Sequence, residues 1–357
     1  MNENTQKQRM YKGILLYVGY NGYNGTKYYV PTDEELEKLL SASDEILLIP
    51  IVLYNRYTDS EGNIKQVMSR EVIENMTVDM VGSPDRFETI KGEYFATAES
   101  RVKANYHVDD YINDSVSLAR RLVAINKNVR LWFSVPQAEC LHALTHLFAD
   151  AWVSVVHGIK KALEPEIWEN NVQGIYHAGE DIVTAGYTKF DFDAPESNFN
   201  NPIVYSMRAV SDAVHAYGKN FLWIPYYDTA ASSAVNMGHV VNLTDIFDTV
   251  IVQPSYFFRD IRFPGIKAVT DSVAAQKIVD LDGNIVGGKK VSNTVIGFEM
   301  EIDWQFFDNE DYQKRYYTYE EAFGKFVGKY PTAYYAGCPD TAVKLTDLMS
   351  KFFSKDK

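Results

Sequence analysis

The chain has 357 residues, long for one domain but within the range of a single β/α barrel. Hydrophobic residues make up 46% and charged residues 23%, the composition of a compact protein rather than a disordered one. The formal charge of −13 disfavours both a nucleic acid and an anionic membrane surface as partner.

Residues 1–11 are polar and read as a flexible lead-in without the apolar core of a signal peptide. No stretch approaches the length of a membrane span, so no membrane insertion is expected. As given, the chain reads as cytoplasmic, or as secreted or cell-surface if a leader has been removed. Eight short apolar runs then follow, rich in β-branched and aromatic residues. In order they are Gly13 to Tyr20, Glu45 to Tyr54, Val129 to Pro136, Val172 to Glu180, Asn220 to Asp228, Asp248 to Phe258, Asn293 to Asp303 and Thr332 to Gly337. Near-continuous apolarity is what parallel strands covered on both faces require. Segments with helical spacing lie between them: one opening at Pro31-Thr32-Asp33-Glu34-Glu35, then Asp109 to Asn126, Glu139 to Leu163, Pro202 to Tyr217, Asn309 to Lys329 and Pro339 to Phe353. The segments after the fifth and sixth runs are shorter or less regular.

Strand and helix alternating eight times predict an α/β fold, a single (β/α)8 TIM barrel over residues 12–357. The competing open sheet lacks its dinucleotide fingerprint, because Gly19, Gly22 and Gly25 have the wrong spacing. Residues 55–107 form a long insertion between strands two and three, read as a lid or a small hairpin unit. Residues 181–201, rich in Asp, Phe and Asn, read as a substrate-facing loop, and Asp282-Gly283 with Gly287-Gly288 as a small hairpin.

Barrel active sites lie at the C-terminal ends of the strands. The carboxylates found there include Glu180 on strand four, Asp228 on strand five, and Glu299 and Glu301 on strand seven. Strands four and seven stand on opposite sides of a small barrel, so their acids flank one bond from both faces. Glycosidic cleavage needs such a pair, one protonated acid and one ionised nucleophile or base. Alternation puts Gly297, Glu299 and Glu301 on one face of strand seven, inward, with Phe298 and Met300 towards the helices. Glu180 is the candidate acid, Glu299 the first choice of nucleophile and Glu301 the second. Carboxyls about 5 Å apart mean retention of configuration, and about 8 Å inversion. The alternatives are helix caps, ligands of a structural cation, or a salt bridge to Arg101 or Arg259. His177, Tyr226, Tyr227, Asp228, Gln253, Tyr256 and Trp304 are candidate substrate contacts, and Trp132 or Trp223 could also stack under a sugar ring.

Other constellations are absent. His142 and His146 stand four apart, but Ala143 follows the first where a zinc protease has glutamate. No nucleophile elbow, phosphate loop or strand lysine for a Schiff base occurs, and no cofactor or metal is expected. Cys140 and Cys338 make no disulfide framework.

Gly174-Ile175-Tyr176-His177-Ala178-Gly179-Glu180, Phe221-Leu222-Trp223-Ile224-Pro225-Tyr226-Tyr227, the segment from Asp248 to Phe258 and Gly297-Phe298-Glu299-Met300-Glu301 together resemble a bacterial family of domains of unknown function. Members of that family look like glycoside hydrolase barrels, and the resemblance runs from about residue 12 to about residue 350. The chain is more loosely similar to the retaining-glycosidase clan with its acid on strand four and nucleophile on strand seven. That resemblance implies those roles for Glu180 and Glu299. It departs at Gly179, where the clan has asparagine. The resemblance implies a hydrolase acting on an oligo- or polysaccharide; a carbohydrate-binding barrel without catalysis is the alternative.

Overall fold

In the computed structural model, which describes residues 12–20, 26–50, 56–66, 77, 88, 107–136, 149–182, 202–228 and 231–356, each of the eight apolar runs contains one parallel strand. They are β1 (Gly13–Tyr17), β2 (Glu45–Ile49), β3 (Arg130–Val135), β4 (Val172–His177), β5 (Asn220–Trp223), β6 (Thr249–Val252), β7 (Val295–Glu301) and β8 (Thr332–Tyr335). They close in sequence order, with β1 paired to both β2 and β8. This is the expected (β/α)8 barrel.

The strands are shorter than the apolar runs, for a chemical reason. Pro225 and Pro254 have no N–H to give a ladder, so β5 and β6 stop just before them. What remains of those runs, including Tyr226, Gln253 and Tyr256, forms the rim instead.

The described helices are α1 (Asp33–Ala42), α2 (Val108–Ile125), α3 (Ala149–Ala162), α4 (Pro165–Asn170), α5 (Pro202–Ala216), α6 (Ala231–Leu243), α7 (Phe263–Ala275), α8 (Gln305–Asp308), α9 (Glu310–Phe323), α10 (Pro339–Lys344) and α11 (Thr346–Phe353). Helix α1 starts as its sequence dictates. The Thr32 hydroxyl accepts from the Glu35 N–H, and the Glu35 carboxylate accepts from the Thr32 N–H. The segments after β5 and β6 are more regular than their sequence indicates, since α6 and α7 are each 13 residues long. The last expected helix is two, divided at Leu345.

Two apolar layers result. Leu15, Leu47, Ile49, Trp132, Tyr176, Leu222, Ile224, Ile251 and Ala333 fill the barrel, while alternate residues of the same strands meet the helices. Each fully buried side chain of this kind stabilises by roughly 1.5–3 kcal/mol. Trp132 fits inside because its neighbour on β4 is Gly174, where a Cβ would come within 2.5 Å of the indole. At the N-terminal end Glu45 is fully buried, accepting from Trp132 Nε1 at 2.8 Å and pairing with Arg130 at 2.6 Å.

Of the insertion at 55–107, the described part is a hairpin of Arg56–Thr58 with Ile64–Gln66, and most of the rest lies outside the described residues. So do residues 1–11, 183–201, Cys140, His142, His146 and Arg101. The turn at Asp282-Gly283 is closed by one antiparallel bridge, Val279 to Ile285.

Candidate active site

A cavity of about 380 Å³ opens at the C-terminal ends of the strands. Glu180, Glu299 and Glu301 all line it, together with Tyr17, Tyr176, Tyr226, Gln253, Ser255, Arg259, Arg262 and Tyr335. The barrel thus brings the β4 carboxyl and both β7 carboxyls to one space.

Strand β7 sets the second pair by parity. Phe298 stacks on Phe323 of α9 with ring centroids 4.8 Å apart, so Glu299 and Glu301 turn inward. Both are buried, at 2% and 1% exposure, yet their surroundings differ. Glu301 accepts a short hydrogen bond from the Tyr319 hydroxyl and another from the backbone N–H of Ser255. Ser255 adopts φ 58°, a left-handed conformation that costs a non-glycine residue about 1–3 kcal/mol. That conformation is tied to an N–H aimed at a carboxylate. The Tyr319 hydroxyl also accepts from the Phe257 N–H at 3.0 Å, so both donors to Glu301 are fixed through the segment after β6. Glu299 has no such support. Its Oε1 is buried without a hydrogen-bond partner.

Burial raises the pKa of both glutamates, which hold their protons above the usual carboxylate range. For Glu299 the charges of Glu301 and Glu180 add to burial and nothing opposes them. For Glu301 the Glu180 charge adds to burial, while the Tyr319 and Ser255 hydrogen bonds and the Arg262 charge work against it and favour the ionised form. A carboxylate with two donors keeps its charge more easily than one with none.

Glu180 follows β4 at the rim. The Gly179 carbonyl before it accepts from Trp223 Nε1 at 2.5 Å, and its own carbonyl accepts from the Tyr226 N–H at 3.1 Å. Tyr226 donates to Asp181 at 3.0 Å, and the Arg262 guanidinium lies 4.7 Å from the centre of its ring. Gln253 gives its amide N–H to the Ile224 carbonyl.

The remaining candidates do not line the cavity. His177 faces the helix layer among Trp152, Phe221 and Phe247. Tyr227 is fully buried and donates to the Val279 carbonyl. Asp228 pairs with Arg262 at 3.7 Å. Tyr256 packs edge-on against Phe263, and Trp304, 61% exposed, sits outside the cavity. Trp132 and Trp223 are fully buried, so neither is a stacking platform. Arg259 lines the cavity but forms no ion pair with either β7 glutamate. Cys338 is a free, exposed thiol.

Sequence reading missed Tyr17, Tyr176, Tyr335, Arg262 and Tyr319. The three cavity tyrosines obey the same inward parity as Glu299: Tyr17 follows Leu15, Tyr176 follows Gly174 and Tyr335 follows Ala333. Tyr319 reaches the site from α9, and no local spacing signals it. Among the described residues no group of three or more His, Cys, Asp or Glu is arranged to hold a metal ion, and no helix is long and apolar enough to cross a membrane.

No family model and no curated protein matches the chain, so the resemblance read from its motifs has no such support. Among solved structures it is similar to the C-terminal domain of a putative chitinase from Desulfitobacterium hafniense, with 9% identity, TM-score 0.42, and 97% of this chain and 100% of that one covered. It is similar to the pneumococcal virulence factor StrH, studied for N-glycan recognition and hydrolysis, with 10% identity, TM-score 0.42, and 98% and 84% covered. It is also similar to a GH113 β-1,4-mannanase, with 10% identity, TM-score 0.41, and 97% and 99% covered. A chitinase from Chromobacterium violaceum matches at 9% identity and TM-score 0.29; the alignment covers 69% of this chain and spans 56% of that protein's length. At these scores the likeness tells neither activity nor substrate.

Proposed function

We propose that this barrel is a glycoside hydrolase acting on an oligo- or polysaccharide with retention of configuration, with Glu301 as nucleophile and Glu180 as general acid. The observation that carries the reading is the meeting of Glu180 and the β7 glutamates on one cavity, with Glu301 alone of the β7 pair held by two hydrogen-bond donors.

The steps follow from those surroundings. The ionised Glu301 attacks the anomeric carbon while the glycosidic C–O bond breaks and the Glu180 proton passes to the leaving oxygen. The product is a glycosyl ester on Glu301 and an ionised Glu180. Glu180 then takes a proton from water, whose oxygen displaces Glu301, and both carboxyls return to their starting states. Tyr319 and the Ser255 N–H stabilise Glu301 as a carboxylate before attack and as a leaving group afterwards. Glu299 remains neutral, because a second charge two residues away would repel Glu301 inside a buried cavity.

This reassigns the first choice made from sequence. Both β7 glutamates share a face, but only Glu301 is solvated by protein donors. The test is hydrolysis of a broad oligosaccharide panel by wild type, Glu180→Gln, Glu299→Gln and Glu301→Gln. Glu180→Gln and Glu301→Gln lose on the order of 10²–10⁴-fold in kcat, while Glu299→Gln stays within about tenfold. A dead Glu299→Gln beside an active Glu301→Gln would reverse the assignment. Glycan binding without any product makes the protein a carbohydrate-binding barrel.

A further inference from the structure

We propose that the cavity mouth holds an anion subsite, formed by Arg262 and Arg259 beside Tyr226, which takes the carboxylate or sulfate group of an acidic sugar. This rests on the carbohydrate reading above and names the substrate class.

Arg262 carries the argument. It is 6% exposed and lines the cavity, and a guanidinium so buried needs acceptors for its five N–H groups. Among the described residues its one ion pair is with Asp228 at 3.7 Å, beyond hydrogen-bonding reach, while its charge acts on Glu301 without pairing with it. The Tyr226 ring, 4.7 Å from the guanidinium carbon, attracts the cation without taking a conventional hydrogen bond from it. The result is a cation held beside the cavity whose guanidinium makes no hydrogen bond among the described residues.

The Arg262 charge favours the ionised form of Glu301 through space, but the two form no ion pair, and the hydrogen bonds to that carboxylate come from Tyr319 and Ser255. Arg259, three residues earlier, lines the same cavity from an exposed position and forms no ion pair among the described residues. The acid between them, Asp260, lies 3.6 Å from Arg315. Two cations are therefore concentrated on one wall of a cavity in a chain of net charge −13. A neutral sugar offers hydroxyls, which tyrosine or glutamine side chains bind well enough. A carboxylate or sulfate offers the paired acceptors that match a guanidinium fork.

The experiment compares a uronate-containing oligosaccharide with the same compound after reduction of its carboxyls to alcohols, a sulfated oligosaccharide, and neutral gluco-, manno- and N-acetylglucosamine oligomers. Hydrolysis is followed with wild type, and binding by calorimetry with Glu180→Gln. An acidic compound is expected to exceed its neutral counterpart by about 100-fold in kcat/KM, since a site built to bond a group rejects the analogue lacking it. Arg262→Met and the exposed Arg259→Gln each narrow that ratio, mainly through KM. Preference for sulfate over uronate, or the reverse, identifies the source of the anion within the same subsite. Equal or better cleavage of the neutral compounds overturns the subsite and leaves the hydrolase reading intact. Binding of acidic glycans without cleavage supports the subsite and removes the hydrolase. No binding of any acidic compound overturns it, and so does an unchanged ratio in Arg259→Gln and Arg262→Met together.

Discussion

A carboxyl group in a barrel is defined by what donates to it. Glu299 and Glu301 differ by two positions on one strand, yet one has two donors and the other has an Oε1 with none. The difference has a thermodynamic signature. Unfolded, Glu299 ionises near the ordinary value; folded, its pKa is raised, so its proton stabilises the native state fully below the unfolded value. That contribution is lost as pH rises towards the folded value, at about 1.4 kcal/mol per pH unit. Glu299→Gln removes the term. Its melting temperature should match wild type near about pH 4 and exceed it progressively towards neutrality. Melting curves that shift in parallel across that range would show Glu299 to be ionised in the fold. Activity should carry the corresponding mark of Glu301: kcat/KM is lost on acidification at a pH above the usual carboxylate range, because the proposed nucleophile must be ionised while burial holds its proton.

Elements aim these groups through their ends. The β4 terminus is fixed by two hydrogen bonds from the β5 side, Trp223 Nε1 to the Gly179 carbonyl and the Tyr226 N–H to the Glu180 carbonyl. Trp223→Phe keeps an aromatic side chain in contact with Phe247 but deletes the first bond. It should cost about 1 kcal/mol of stability and lower kcat by about tenfold, the activity loss exceeding what unfolding explains. Chemical denaturation beside steady-state kinetics separates the two. Away from the site, Thr32→Ala breaks the reciprocal cap of α1 and should cost about 1 kcal/mol by urea denaturation with activity intact. At this scale much was legible from sequence, because capping chemistry, proline stops and inward parity are local. The α6 and α7 helices were less so, since tertiary packing regularises segments whose own periodicity is weak. Tyr319 was invisible, because its contact joins residues 18 positions apart through the packing of α9 on the barrel.

Across the whole molecule, the two ends of the barrel do different work. The cavity end concentrates strain, buried acids and a left-handed serine. The opposite end closes on Glu45, whose carboxylate is held by Arg130 and Trp132. Glu45→Ala leaves Arg130 without that partner and should cost about 3–5 kcal/mol, with kcat per folded molecule unchanged. A kcat that falls with stability would mean that the two ends are coupled through the strands. The closed topology was readable from eight apolar runs, whereas the choice between the β7 glutamates depended on donors from a separate loop and helix.

Those donors also determine when the site can exist. Translation delivers Glu180 first, the β7 glutamates much later, and Tyr319 from α9 later still, just before β8 closes the barrel. A nascent chain emerging through residue 301 already holds all three carboxyls but not the phenol that eases the charge on Glu301. Two fragments divided between β7 and α9 would therefore place the acids on one piece and their hydroxyl support on the other. Activity regained on mixing them would report docking of the C-terminal part onto the rest, making the barrel a natural split reporter.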